Sequence, residues 1–293
     1  MHKAGFVNIV GNPNVGKSTL MNLLVGERIS IATFKAQTTR HRIMGIINTE
    51  DTQIVFSDTP GVVKPNYKLQ ESMLNFSESA LVDADILLYV TDTVEKPDKN
   101  ADFIEKVRKI KVPTLLLINK IDLSNQKDLE QLVEKWHEYL PDAEIIPISA
   151  MAKFNVDAVM KRIRELLPDS PPYFGKDQWT DKPARFFVTE IIREKILLYY
   201  DKEIPYSVEV VVEQFKESEK EIRINAVIYV ERDSQKGIII GKQGKALKKV
   251  ATEARKTLER FFQKHVFIET YVKVDKDWRS SDKELKSFGY QLD

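Results

Sequence analysis

The segment Gly11–Ser18 constrains the fold of this 293-residue chain most, because its spacing is typical only of the turn between a strand and a helix. It reads Gly-Asn-Pro-Asn-Val-Gly-Lys-Ser and fits the pattern G-x-x-x-x-G-K-[ST]. An apolar run, Gly5–Val10, precedes it, and a helical pattern, Lys17–Val25, follows it. Glycines in such a loop let successive backbone N–H groups face one centre, and the helix N-terminus adds positive charge. The segment therefore predicts a phosphate site.

The residues of this loop have separable roles toward a nucleotide. Lys17 can reach the β- and γ-phosphates, and the Ser18 hydroxyl can coordinate Mg²⁺. We expect the remaining contacts from residues of the loop and the first turn of the helix: Gly11, Asn12, Asn14, Val15, Gly16 and Thr19. The alternative is a chance glycine-rich turn, and the flanking strand and helix patterns argue against it.

A second motif indicates the base. Asn119-Lys120-Ile121-Asp122 follows an apolar run, and the Asp122 carboxylate can accept hydrogen bonds from the ring N–H and the amine of guanine. Adenine offers no such donor pair, so a buried charge would stay unpaired with ATP. The Lys120 stem can lie over the purine. After the next apolar run come three residues that can place a backbone N–H against the guanine oxygen: Ser149, Ala150 and Met151. The pattern predicts GTP and GDP as ligands.

Two further segments predict a magnesium site and the residues around the γ-phosphate. Asp58 and Gly61 form a D-x-x-G pattern, in which Asp58 would hold Mg²⁺ through water and the Gly61 N–H would contact the γ-phosphate. The loop 34–40 should supply a threonine. Thr39 is favoured, and Thr38 stays the alternative. The predicted metal ligands are Ser18, Thr39 and Asp58, and the predicted catalytic set is Lys17, Thr39, Asp58 and Gly61. With these motifs, the first half resembles a GTPase domain of the translation-factor-related class.

Two positions depart from the commonest GTPase pattern. Many GTPases place a glutamine directly after D-x-x-G to orient the attacking water, and this chain has Val62 there. The similarity to GTPases with a hydrophobic residue at this place implies slow intrinsic turnover. Asn14 matches the asparagine with which potassium-dependent relatives hold K⁺ near the phosphates, where the ion adds positive charge. We therefore hypothesise activation by K⁺. The alternative is that Asn14 only shapes the loop.

The pattern of apolar runs predicts two domains. Over residues 1–168, short apolar runs alternate with helical patterns, which predicts an α/β P-loop domain with a mainly parallel sheet and helices on both faces. Three prolines within residues 168–172 predict a stiff linker over 169–182. Residues 183–293 predict a smaller α+β domain, with the elements in the order α-β-β-α-α-β.

The second half carries a signal for RNA. Gly241-Lys242-Gln243-Gly244 follows a β-branched run and opens an amphipathic helix, an arrangement that resembles a type II KH domain, whose G-x-x-G loop clamps four nucleotides of a single strand. Because 45 Lys and Arg balance 44 Asp and Glu, an RNA surface requires local clustering of charge. The expected RNA-binding residues are Lys236, Ile240, Gly241, Lys242, Gln243, Gly244, Lys245 and Lys248. The alternative is a solvated basic helix face.

With Glu190–Lys195 and Glu203–Pro205, the two halves together resemble the Era family of bacterial GTPases over nearly the whole chain. The resemblance implies binding near the 3′ end of 16S rRNA on the immature 30S subunit, release coupled to GTP hydrolysis, and peripheral association with the inner membrane. We expect a cytoplasmic protein, since the chain has no cysteine and no apolar stretch of about 20 residues. We also expect it to be a monomer. Two alternatives stay open: a membrane-associated regulatory GTPase with secondary RNA binding, and an RNA chaperone whose nucleotide site only stabilises the fold.

Overall fold

The computed structural model describes residues 2–95 and 97–290, and of Pro97 and Asp98 only the backbone. Met1 and residues 291–293, at the outer ends of the two predicted domains, lie outside the described residues. The chain forms two compact units. One contains the residues up to Asn66 together with Met73–Asp181, and the other contains Tyr67–Ser72 together with the residues from Lys182 onward.

A six-stranded sheet forms the centre of the first unit, with strand order β2-β3-β1-β4-β5-β6. Only β2 runs antiparallel to its neighbour, so the predicted mainly parallel sheet is confirmed. Strand β2 was not predicted from the sequence. Its Gly45 lies under the side chains of α1, and a Cβ there would come within 2.7 Å of Met21 Cε. The strands are β1 (Lys3–Val10), β2 (Ile43–Asn48), β3 (Thr52–Asp58), β4 (Ile86–Asp92), β5 (Thr114–Asn119) and β6 (Glu144–Pro147).

Helices cover both faces of this sheet, as the alternating pattern predicted. One core contains Leu20 of α1 and Ile163 of α5, and the opposite core contains Phe103 of α3 and Trp136 of α4. The helices are α1 (Lys17–Val25), α2 (Lys68–Val82), α3 (Ala101–Arg108), α4 (Gln126–Tyr139) and α5 (Val156–Leu166). A short 3₁₀ helix, Pro97–Asn100, directly precedes α3. Because helices cover both faces of the sheet, a ligand can reach it at the loops beyond the carboxyl ends of the strands.

The proline-containing segment after α5 pairs with the first unit. Asp169 forms a β-bridge with Lys3, and Thr180 forms another with Gly45. The Gln53 side chain donates to the carbonyl of Phe174 over 2.9 Å. Prolines favour extended backbone, and extended backbone offers its remaining peptide groups for such bridges. Residues 169–181, within the segment predicted as a linker, thus belong to the first unit.

The second unit is built on a three-stranded sheet of order β7-β8-β9, in which β8 pairs antiparallel with β7 and parallel with β9. Helices α6 and α8 pack on one side of it around an apolar core. The predicted α-β-β-α-α-β order is present, followed by a short helix that the sequence analysis did not predict. The elements are α6 (Ala184–Tyr199), β7 (Glu209–Glu217), β8 (Glu221–Val230), α7 (Asp233–Ile240), α8 (Lys245–Phe262), β9 (His265–Val274) and α9 (Asp282–Ser287). Among the described residues, no helix is both long and apolar enough to cross a membrane.

Trp136 gives a test of the packing in the first unit. It is 1% exposed and lies against the ring of Tyr89, with 5.6 Å between centroids. We expect Trp136→Ala to lower the free energy of unfolding by about 3–5 kcal/mol, because the cavity would not be refilled. Val82→Ala is the control, since Val82 is 88% exposed on α2 and should change stability by about 0.5 kcal/mol at most. Urea unfolding followed by circular dichroism measures both, and a loss below about 1 kcal/mol for Trp136→Ala would contradict the packing described.

Candidate nucleotide-binding site and nucleic-acid interface

The loop between β1 and α1 needs its glycines for backbone geometry. Gly11 has φ +145°, and a Cβ there would lie 2.1 Å from the carbonyl oxygen of Val90. Gly16 has φ +99°, and a Cβ there would lie 2.3 Å from Nδ2 of Asn119. Between them, Asn14 also adopts a left-handed conformation, with φ +66°. The loop therefore turns tightly around the N-terminus of α1, and its neighbours on β4 and β5 leave no space for side chains at the two glycines.

Lys17, the first residue of α1, lies buried along this loop. Its ammonium group donates to the carbonyl oxygens of Gly11, over 3.0 Å, and Asn12, over 2.7 Å. Burial lowers the pKa of Lys17 to about 8, and the negative charges of Asp58 and Glu95 oppose that shift. A lysine in this position gains most from an anion placed over the loop, because the anion would restore the favourable environment of the charged form.

Three oxygen-bearing side chains meet beside Lys17. Ser18 Oγ lies 2.9 Å from Thr39 Oγ1, which lies 3.5 Å from Asp58 Oδ2. Burial raises the pKa of Asp58, while hydrogen bonds from Ser18 and Thr39 and the charge of Lys17 lower it. Among the described residues, Oδ1 of Asp58 is buried and has no hydrogen-bond partner. Hydroxyl and carboxylate oxygens are the ligands that Mg²⁺ prefers, and a cation would supply the missing partner, so these residues fit a magnesium ion.

The structure distinguishes the two adjacent threonines of the loop 34–40. Thr39 faces Ser18 and Asp58, as given above. Thr38 instead donates to the carbonyl of Lys35 over 2.6 Å and lies 2.7 Å from the hydroxyl of Thr33, so its hydroxyl is used within its own loop. The geometry thus brings Thr39, and not Thr38, to the candidate metal ligands.

Asn119 cross-links the loops that the sequence assigned to the phosphate and the base. Its Nδ2 donates to the Val15 carbonyl over 2.8 Å, and its Oδ1 accepts from the backbone N–H of Ala150 over 3.0 Å. The same side chain lies over Gly16. Asn119 therefore fixes the position of the base-binding loops relative to the phosphate loop.

The predicted base-binding carboxylate is exposed at its tip and held by a neighbour. Ser149 Oγ donates to Asp122 Oδ1 over 2.5 Å, and the backbone N–H of Ala152 donates back to Ser149 Oγ over 3.1 Å. Asp122 is an exposed residue, and its Oδ2 takes no part in the bond to Ser149. The side chain of Met151 is also largely exposed, so only its backbone is placed to serve the site.

Lys120 has a partner that the sequence analysis did not identify. Its ammonium group lies 2.7 Å from Oδ2 of Asp92, at the end of β4, and donates to the carbonyl of Asn14 over 2.6 Å. Two hydrogen bonds to different loops hold the aliphatic stem in place. Asp92 is the last residue of a buried strand, and that position at the carboxyl edge was the only sequence signal that could have indicated it.

The segment after Asp58 lies directly on the phosphate loop. A Cβ at Gly61 would come within 2.6 Å of Pro13 Cα, so only glycine allows this approach. The Val62 N–H donates to the Gly11 carbonyl over 3.1 Å. The Val62 side chain is 4% exposed and packs in the core with Val10 and Ala80. It therefore points into the protein, and only the peptide groups of Val62 remain to act at the site.

The Gly-Lys-Gln-Gly segment of the second unit forms a tight turn between α7 and α8. Gly241 and Gly244 have φ values of +70° and +72°, and a Cβ at Gly241 would come within 2.6 Å of the Cβ of Ala246. Gln243 also has a positive φ, +53°. Ile240 is half-buried against the core. A Cβ at Gly244 would meet no atom within 4 Å, so the backbone there is open to a ligand.

Lysine side chains around this turn differ in ion pairing from the basic side chains farther along α8. Lys256 pairs with Glu253 over 2.8 Å, and Arg255 pairs with Glu259 over 3.2 Å. Among the described residues, no ion pair is found for the lysines at or before the first turn of α8: Lys236, Lys242, Lys245 and Lys248. The first turn of α8 contains no acidic residue. Uncompensated positive charge is thus concentrated at the G-x-x-G end of the helix.

Known sequences are similar to both halves of the chain. The sequence model of a family described as 50S ribosome-binding GTPase matches residues 6–120, and that of the KH domain matches residues 203–279. A GTPase Era of Staphylococcus haemolyticus is 43% identical over 291 residues, which cover 99% of this chain and 97% of that protein.

Solved structures agree over the whole chain. A variant of Era from Aquifex aeolicus bound to GDP and AlF₄⁻ has a TM-score of 0.94 and 38% identity, covering 99% of this chain and all of that one. A structure of Era in complex with MgGDPNP and nucleotides 1506–1542 of 16S ribosomal RNA has a TM-score of 0.95 and 37% identity, covering both chains completely.

The lowered pKa of Lys17 predicts that nucleotide binding takes up a proton in mildly alkaline solution. The free protein holds this lysine with a pKa of about 8, and phosphate oxygens would raise it toward its ordinary 10.5, so the bound state holds more protons. At pH 8.5 about three-quarters of a proton should be taken up, and affinity should fall as the pH rises above 8. Calorimetry in buffers of different ionisation enthalpy measures the uptake. Lys17→Arg should abolish it, and equal uptake in that variant would contradict the assignment to Lys17.

Proposed function

The chain belongs to the Era family of GTPases, and we propose that it uses GTP hydrolysis to control binding to the 3′ region of 16S rRNA during assembly of the 30S subunit. The observation that carries this proposal is the full-length similarity to an Era structure in complex with MgGDPNP and nucleotides 1506–1542 of 16S rRNA. Residues 1–168 are proposed as the GTPase domain and residues 183–293 as the KH domain, with 169–182 between them. We propose that the protein acts as a cytoplasmic monomer that also associates peripherally with the inner membrane.

The nucleotide is proposed to bind across the loops at the carboxyl ends of β1, β5 and β6. Backbone N–H groups of the phosphate loop and the Lys17 ammonium would face the phosphates, and Asp122 would accept from guanine. The remaining contacts are assigned to the residues predicted from the sequence: Gly11, Asn12, Asn14, Val15, Gly16, Ser18, Thr19, Asn119, Lys120, Ser149, Ala150 and Met151. The hydrogen bonds of Asn119 to both loops support a single, preorganised site.

The catalytic role of the protein is proposed to be electrostatic. Mg²⁺ would be held by Ser18, Thr39 and Asp58, and when bound it neutralises charge on the phosphate oxygens. Lys17 stabilises the negative charge that develops toward the leaving phosphate, in a site where little water screens it. The Gly61 N–H is proposed to contact the γ-phosphate. Since the Val62 side chain is buried, it cannot orient the attacking water, and backbone groups, a switch loop or a partner would have to do so, which is consistent with slow intrinsic turnover.

The G-x-x-G turn is proposed to bind the RNA backbone. Lys245 and Lys248 lie in the first turn of an 18-residue helix, where the helix dipole disfavours positive side chains. Such an arrangement costs stability in the free protein, and an anion at the helix N-terminus would relieve that cost. Lys236, Ile240, Gly241, Lys242, Gln243 and Gly244 complete the proposed surface, where the glycines let a phosphate approach the backbone closely.

A pair of lysine variants tests RNA binding against its alternative. With a single-stranded RNA that copies the 3′ end of 16S rRNA, Lys245→Ala plus Lys248→Ala should weaken binding and reduce the salt slope by roughly 0.7 for each lost phosphate contact. Lys256→Ala should leave both quantities nearly unchanged, because Lys256 is paired with Glu253. The same RNA should raise GTP turnover by wild-type protein. If no binding occurs at low salt, a membrane-linked regulator that acts without RNA becomes the better hypothesis.

Potassium activation is proposed from Asn14, whose backbone already adopts the left-handed conformation within the phosphate loop. An ion held beside the phosphates would add positive charge where charge develops, so turnover in KCl should exceed turnover in NaCl by about tenfold or more. Asn14→Ala should remove the difference, and the nucleotide affinity of the same variant separates loss of K⁺ activation from weaker binding. Equal wild-type rates in the two salts, measured by phosphate release at matched ionic strength, would exclude a role for K⁺.

A further inference from the structure

A chain of side-chain hydrogen bonds runs behind the phosphate loop and ends on the peptide of Val62. Thr91 Oγ1 donates to Oε2 of Glu95 over 3.0 Å, and Asn12 Nδ2 donates to the other carboxylate oxygen of Glu95. Asn100 Nδ2 then donates both to Oδ1 of Asn12 and, over 3.0 Å, to the carbonyl oxygen of Val62. The chain thus joins the end of β4, the phosphate loop, the residue before α3 and the segment after Gly61.

Both peptide groups of Val62 are therefore held. Its N–H donates to the carbonyl of Gly11, and its C=O accepts from Asn100. This residue stands where other GTPases have the glutamine that orients water, and its own side chain is buried. The Val62 N–H has no second hydrogen to donate, but its carbonyl oxygen keeps a second lone pair and can accept a hydrogen bond from the reacting water. The carbonyl can replace a side chain in this way only if its orientation is fixed, because a displaced polar group loses its effect on the water.

The position of Asn100 argues that this contact is specific. Asn100 is the N-cap residue of α3, a place where asparagine normally accepts a hydrogen bond from the first turn of its own helix. Its side chain makes no such bond. Asn125, the N-cap residue of α4, does accept from the backbone N–H of Asp128, over 3.0 Å. Asn100 thus forgoes a cap worth about 1 kcal/mol and reaches the phosphate loop and Val62 instead.

The carboxylate of Glu95 determines which end of each amide in this series of hydrogen bonds is the donor. An amide has a donor end and an acceptor end, and Glu95 accepts at both oxygens, so Asn12 must present Nδ2 to it. Asn12 then presents its acceptor, Oδ1, to Asn100, so Asn100 must donate from its Nδ2. The second hydrogen of the same Nδ2 is directed to the Val62 carbonyl. A single orientation of the Asn12 and Asn100 amides therefore satisfies every contact. The last hydrogen bond of the series holds the Val62 carbonyl.

We propose that Asn100 is a positioning residue for GTP hydrolysis, which acts by holding the Val62 peptide against the phosphate loop so that backbone groups orient the attacking water. Asn12 and Glu95 hold Asn100 in turn. The inference rests on the proposed nucleotide site and adds a residue that none of the motifs contains.

The test compares Asn100→Asp and Asn100→Ala with Asn125→Asp and Asn125→Ala in the full-length protein. The Asn100 side chain makes no cap bond, so neither variant removes one, and Asn100→Asp places a carboxylate against two acceptors, Val62 O and Asn12 Oδ1. We expect kcat for GTP to fall about tenfold or more in Asn100→Asp and less in Asn100→Ala. KM and the affinity for GDP should stay within about twofold of wild type, because no contact to the nucleotide is removed.

The Asn125 variants provide the matched comparison. Asn125→Ala should lose thermal stability because it removes the cap, Asn125→Asp should keep the stability of the wild type, and both should keep its kcat. An unchanged kcat in both Asn100 variants would overturn the inference. It would also be overturned if kcat and GDP affinity fell together, since that result would indicate a collapsed phosphate loop. Absence of GTP hydrolysis by the wild-type protein, with K⁺ and RNA present, would instead reject the proposed function.

Discussion

Two buried and opposite charges at the carboxyl edge of the six-stranded sheet determine how this site can be used. Burial lowers the pKa of Lys17 and raises the pKa of Asp58, so each side chain is disfavoured in its charged form. Lys17 contacts peptide carbonyls, and one oxygen of Asp58 has no hydrogen-bond partner among the described residues. Such an arrangement costs stability in the free protein. A phosphate beside Lys17 and a divalent cation beside Asp58 would stabilise the charged forms of both side chains. The loss of stability in the free protein therefore favours the nucleotide-bound state.

Side-chain amides connect the loops that surround these charges. Asn119 bonds to Val15 and Ala150, and Asn100 bonds to Asn12 and Val62. An amide carries a donor and an acceptor a short distance apart, so one asparagine can fix two loops relative to each other. The loops after β1, β3, β5 and β6 therefore depend on one another for their positions. In the second unit the corresponding constraint is electrostatic, because lysines for which the described residues supply no acidic partner lie at the helix end where positive charge is least favourable.

Several functional features were accessible from local sequence because their chemistry depends on residues adjacent in the chain. The spacing of Gly11, Gly16 and Lys17 defines a loop whose backbone does the binding, and the structure shows that a Cβ at either glycine would collide with a neighbouring strand or side chain. The Gly241–Gly244 turn is similar, since its positive φ values require glycine at both ends. The alternation of strand and helix patterns predicted the parallel sheet, because strands covered on both faces are apolar along their whole length.

The sequence alone determined the types of residue at the site, the phosphate-loop spacing and the order of elements in both units, since these follow from backbone geometry and short-range periodicity. Tertiary structure decided which side chains meet. It separated Thr39 from Thr38, gave Lys120 its partner Asp92, and buried the Val62 side chain so that only its peptide serves the site. It also added β2, which pairs with β3 as a hairpin through residues 49–51. Apart from this hairpin and the bond of Thr38 within its own loop, these contacts join positions far apart in the chain, and their geometry exists only once the sheet has brought its loops to one edge.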